Sequence, residues 1–114
     1  MDKYEYNLKL EEIDKLVDQG AYEEAADVAD AVDWRRVRNV RTLCLISEIY
    51  EAAGRLEDSK HILERAYKKS PVGTNVLYRL VEVTTALHQY DEAMEYYSDY
   101  VQVAPHDDNK YILK

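Results

Sequence analysis

The chain has 114 residues, 46% apolar and 33% charged, with a formal net charge of -8; that balance excludes both a disordered polyelectrolyte and a membrane-embedded bundle. No run approaches the ~20 consecutive apolar residues that span a bilayer, and Met1-Asp2-Lys3-Tyr4-Glu5 lacks the basic-then-apolar order of a secretion signal, so a cytoplasmic address is expected. Cys44 is the single cysteine, which excludes an internal disulfide and a cysteine-based metal framework; between Leu43 and Leu45 it reads as a small core residue.

Three glycines and two prolines leave long unbroken stretches rich in Ala, Leu, Glu, Lys and Arg, which predict an all-α protein. In chain order the predicted helices are 4–19, 22–32, 36–53, 56–69, 74–87 and 90–104. Gly20 closes the first and Gly54 the third, because glycine adopts the left-handed backbone of a helix terminus at no steric cost. His88 holds the same place after the fifth helix, and histidine tolerates that region better than most residues. These three positions are 34 residues apart, and the register continues around them. Ala25, Ser59 and Ala93 are small where two helices approach; Leu43, Ile46 and Tyr50 align with Leu77, Leu80 and Thr84 as one apolar stripe. In the first unit Lys9 and Glu12 break that stripe and Leu16 keeps it, as suits an end repeat facing water. Pro71 and Pro105 stop the second helices of the later units, whereas Val37 fills that slot in the first and removes the stop. With Asp33 as a cap, the following helix is therefore expected to start early, with Trp34 as a wedge.

These residues resemble the tetratricopeptide repeat family over nearly the whole chain. The resemblance implies a single domain spanning 1–114, with units 6–39, 40–73 and 74–107 forming a right-handed α-α superhelix of helical hairpins. Residues 108–114 then open a truncated fourth unit, so the chain is expected to be a fragment of a longer protein. Without a polar closing helix, Tyr96, Tyr100, Val103 and Ile112 are expected to be partly uncovered and to drive self-association through the carboxy-terminal face. Tyr22, Tyr50, Tyr90, Tyr97 and Tyr100 are expected to face the packing.

Catalysis needs a constellation of groups, and none is present: His61, His88 and His106 lie on different elements, and His106-Asp107-Asp108 reads as a loop with a helix cap. No cofactor is implied. The resemblance instead implies a protein–protein interaction scaffold that holds a peptide segment of a partner in a concave groove lined by the first helix of each unit. On this chain the expected contacts are Arg41, Leu45, Glu48, Tyr78, Arg79 and Glu82, with arginines for carboxylates or carbonyls, glutamates for basic side chains and Tyr78 as the apolar anchor. The family's clamp for chaperone-tail carboxylates would fall on Leu10, Asp14, Leu45, Asn75 and Arg79, of which Arg79 alone fits. A second reading is a peptide-sensing regulatory module coupled to an output domain outside this chain.

One stretch stands apart. Residues 1–33 carry 11 acids against 3 bases and residues 74–114 carry 7 against 3, but residues 34–73 carry 5 against 9. Within that positive island, Asp33-Trp34-Arg35-Arg36-Val37-Arg38-Asn39-Val40-Arg41 holds four arginines. They either pair with Asp27, Asp30 and Asp33, or, with Trp34, Arg35, Arg36 and Arg38, form a patch for an acidic partner. Nucleic acid is disfavoured, because the flanking negative charge repels a polyanion.

Overall fold

The computed structural model of the chain describes residues 2–69 and 73–103. Three turns organise it. Gly20, Gly54 and His88 have φ of 74°, 80° and 62°, all left-handed. At each, the turn residue donates to the carbonyl three residues back and its successor to the carbonyl five back: Gly20 to Val17 (2.9 Å) and Ala21 to Leu16 (2.8 Å), then Arg55 to Tyr50 (2.8 Å) and Gln89 to Thr84 (2.8 Å). This pattern satisfies carbonyls that a helix end leaves orphaned, and it recurs unchanged even where histidine replaces glycine.

The turns separate six helices among the described residues: α1 (Lys3–Asp18), α2 (Tyr22–Ala29), α3 (Val40–Ala52), α4 (Leu56–Lys69), α5 (Thr74–Ala86) and α6 (Tyr90–Val103), with no strand. Every substantial packing contact joins helices consecutive in the chain, giving an elongated body of 42 × 25 × 24 Å. A linear stack of this kind draws stability from hairpins and from nearest-neighbour interfaces. Ile13, Leu43, Leu63, Leu77 and Leu80 are fully buried along the stack, each contributing about 1.5–3 kcal/mol by leaving water. Pro71, Pro105 and the expected start of a fourth unit lie outside the described residues.

The small-residue positions are buried as expected: Ala25 and Ser59 wholly, Ala93 nearly so. Ser59 is the odd member, since its buried hydroxyl has no hydrogen-bond partner among the described residues. An unmade hydrogen bond there costs free energy that alanine would not. Ser59→Ala should therefore raise stability by about 1 kcal/mol, read as a higher urea midpoint at unchanged slope; a lower midpoint would show that the hydroxyl is satisfied.

The first link differs from expectation. Helix 22–32 ends at Ala29, and helix 36–53 starts only at Val40. Between them Trp34–Arg36 make a single 3-10 turn capped by the Asp33 carboxylate, which accepts from the Arg35 N–H at 3.1 Å. Val37 then runs extended (φ -82°, ψ 126°), and a second cap, Asn39, accepts from the Thr42 N–H at 3.1 Å to start α3. Two competent caps six residues apart thus split one expected helix into a turn and a shorter helix. Tertiary burial decides between them: in this arrangement Trp34 and Val37 are both buried. The Trp34 Nε1–H donates to the Ala29 carbonyl at 2.9 Å, and its ring meets Tyr6 edge-on with centroids 6.3 Å apart.

Expectations for the tyrosines need correction as well. Tyr50 and Tyr100 are buried, but Tyr22, Tyr90 and Tyr97 are exposed. Tyr22 and Tyr90 open their helices, and Tyr90 instead pairs its hydroxyl with His88 Nδ1 at 2.7 Å. Tyr100, expected to be partly uncovered, packs with Leu77, and Tyr96 is half-buried against the core. Burial, with Glu64 and Glu92 nearby, pushes the Tyr96 hydroxyl up to about 12.

Candidate interaction groove

The amino-terminal ends of α3 and α5 face each other across a groove of about 730 Å3. Of the residues expected to contact a partner, Arg41, Tyr78, Arg79 and Glu82 line it together, joined by Cys44 and Asn75. Their spacing explains the convergence: positions three or four apart share a helix face, so Arg41 and Cys44 from α3 meet Asn75, Tyr78, Arg79 and Glu82 from α5. Leu45 and Glu48 are exposed on α3 but do not line this groove.

Electrostatics divides the groove into engaged and available groups. The Arg79 guanidinium donates to the Glu48 carboxylate across the two helices. Glu48 and Arg79, expected to serve opposite charges on a partner, thus neutralise each other and stitch unit two to unit three. Arg41 and Glu82 take part in no ion pair among the described residues, which leaves one cation and one anion for a ligand. Burial pushes the Cys44 thiol above its ordinary pKa, with Arg79 only partly opposing the shift, which disfavours the thiolate form. Tyr78 is 47% exposed, with its ring tilted 6.0 Å from that of buried Tyr100.

On the outer side, polar stitches join the second helices. Gln89 and Glu92 hold the buried Lys60 ammonium at 2.7 and 2.9 Å, the Tyr67 hydroxyl donates to Asp99 at 3.1 Å, and Arg55 reaches back to Asp30 at 2.8 Å. The inner groove and outer stitches together mark the architecture of a repeated hairpin, and one further comparison identifies it. Residues 40–71, spanning α3 and α4, match the tetratricopeptide repeat family. This middle unit is a tetratricopeptide repeat. No curated protein matches it. Tetratricopeptide repeats are a non-catalytic scaffold type and generally mediate protein–protein interactions. Among the described residues no three metal-ligating side chains cluster and no helix is long and apolar enough to cross a membrane.

The arginine cluster resolves unevenly. Arg35 pairs with Asp33 through Nε at 2.9 Å and Nη2 at 3.2 Å. Asp27 and Asp30, expected as partners for this cluster, instead bind Arg55. Arg36, Arg38 and Arg41 form no ion pair among the described residues. Trp34, placed on the same expected patch, is buried and is not available to a partner.

A feature missed from sequence is the outer stripe of α6. Tyr90, Met94, Tyr97 and Val101 are 57%, 67%, 48% and 38% exposed at i, i+4, i+7 and i+11, one continuous apolar line. Their counterparts 34 residues earlier, Leu56, Lys60, Leu63 and Tyr67, are buried or half-buried on α4, against which α5 packs. The repeat register itself could have flagged the stripe.

Proposed function

We propose that the groove between α3 and α5 binds a peptide segment of a partner protein, Arg41 receiving a carboxylate or carbonyl, Glu82 a basic side chain, and Tyr78 an apolar anchor. The convergence of these three with Asn75 on one concavity carries the reading, because a mixed-charge groove with an exposed aromatic suits an extended or helical segment of alternating character. The Arg79–Glu48 pair stiffens the walls, and Leu45 extends the apolar surface beyond the groove. Covering Tyr78 would supply about 1–2 kcal/mol.

Capture of binding partners from extract, with the chain as bait, tests this. Arg41→Glu combined with Tyr78→Ala should reduce recovery of the bound partner about tenfold or more, while circular dichroism stays helical. Equal recovery by the folded double variant would exclude the groove.

The α6 stripe supports self-association as part of the same reading, by pairing of α6 with α6 of a second copy. Head-to-tail stacking is disfavoured, since the positions of α1 that correspond to buried Val76, Leu80 and Val83 are exposed Leu8, Glu12 and Lys15. Sedimentation should show a dimer that Met94→Glu converts to monomer and that high salt strengthens, because α6 carries Asp91, Glu92, Glu95 and Asp99 without a base. A concentration-independent monomer would rule it out.

A further inference from the structure

The first link forms a second concavity, at the opposite end of the stack from α6. Between the start of α1 and residues 32–39 lies a cleft of about 630 Å3, within the size range of ligand clefts. Its floor is apolar: Val32 and Val37 are buried, and half-buried Tyr6 leans on Trp34. Its rim carries Lys3, Arg36 and Arg38, all exposed and none in an ion pair among the described residues.

The acids of the lining are already engaged. The Asp2 carboxylate accepts from the Glu5 N–H at 2.8 Å as the cap of α1. Asp33 is held by the backbone and guanidinium of Arg35, which hold its carboxyl below the ordinary range. The cleft thus presents surplus positive charge over an apolar floor, in a chain whose net charge is -8. The repeat does not require these cations: the positions corresponding to Arg36 and Arg38 in the second unit are Ser70 and Val72.

We infer that this cleft docks an acidic segment of a partner protein, its carboxylates meeting Lys3, Arg36 and Arg38 while one apolar side chain covers Tyr6 and Val37. Guanidinium and carboxylate make charge-assisted, geometrically specific pairs, and the half-buried Tyr6 ring supplies apolar area that such pairs alone do not. A long polyanion fits poorly, because beyond the cleft it would run along the first 33 residues, where acids outnumber bases 11 to 3. A segment with few carboxylates ends before meeting that field. This site does not rest on the α3–α5 groove, which shares no residue with it.

The test uses the full chain and a fluorescein-labelled peptide alternating glutamate with leucine, followed by anisotropy. Binding should weaken about tenfold or more in Arg36→Glu/Arg38→Glu and less in Arg36→Gln/Arg38→Gln. A matched change of charge elsewhere, Lys68→Glu/Lys69→Glu, should leave it within about twofold. Amide shifts in the wild-type complex should centre on Tyr6 and Val37. No binding at millimolar peptide, equal loss in the lysine variant, or tighter Arg36- and Arg38-dependent binding of single-stranded DNA or anionic vesicles would each overturn the assignment.

Discussion

Trp34→Ala is expected to cost about 3–5 kcal/mol of stability, the largest single loss available at the first link. The side chain is buried against Tyr6 of α1, and its Nε1–H satisfies the Ala29 carbonyl at the end of α2. Removing it leaves a cavity and takes one of two donors from the Ala29 carbonyl, which keeps the Val32 N–H at 3.1 Å. Because the most extensive packing runs between consecutive helices, the loss should stay local. Hydrogen exchange is the decisive measurement: amides of α1 and α2 should lose protection while those of α4 to α6 keep most of theirs. Trp34→Phe separates the two contributions, retaining most of the volume and losing the hydrogen bond, for about 1–2 kcal/mol. Uniform loss of protection through α6 would show that the stack unfolds as one unit and that the first link has no separate stability. The same variant bears on the arginines, since Arg36 and Arg38 flank a buried Val37 whose position depends on Trp34.

How far the sequence could be read depended on whether a feature was local. Gly20, Gly54 and His88 were legible because a left-handed residue at a helix end is a demand of the backbone itself, and their common spacing made each support the others. Ala25, Ser59 and Ala93 followed from the register. The link from Asp33 to Asn39 was not legible: both residues can cap, and the choice depends on burying Trp34 and Val37, which sequence proximity does not show. The same holds for charge. Asp27 and Asp30 sit close in sequence to Arg35 and Arg36, yet the turn at Gly54 brings Arg55 to them from 25 or more residues away. Repeat position reports which face a residue occupies, and Arg41, Tyr78, Arg79 and Glu82 do line one concavity, while Leu45 and Glu48 do not. It says nothing of whether two charges on that face reach each other, so the Glu48–Arg79 pair needed coordinates.

Arg55 carries the other large effect, and its role follows from the register. It is the residue after the left-handed turn; its counterpart in the third unit, Gln89, likewise reaches back to the preceding second helix, at Lys60. The counterpart in the first unit is Ala21, whose methyl can make no such contact. Arg55 binds Asp30 and Asp58 at 2.8 Å each, approaches Asp27 at 3.5 Å and lies 4.9 Å over the Tyr50 ring, while the Tyr50 hydroxyl also donates to Asp30 at 2.9 Å. Arg55→Met keeps much of the packing stem but leaves three carboxylates without their shared cation. Charge-assisted bonds are worth more than neutral ones, but Asp30 and Asp58 are more than two-fifths exposed, so screening reduces the expected cost to about 1–3 kcal/mol. The pH dependence has a fixed sign. Partial burial alone would raise the Asp30 pKa, but bonds from Arg55 and Tyr50 outweigh it and hold the carboxyl below its ordinary value. A group depressed in the folded state stabilises above its unfolded pKa of about 3.9 and loses that contribution as pH falls through the folded value. The gap between wild type and Arg55→Met should therefore be full at pH 6 and shrink below about pH 4. Urea unfolding at both pH values checks it; a gap that stayed constant into the acid range would mean that Arg55 stabilises by packing on Tyr50 and not through its carboxylates.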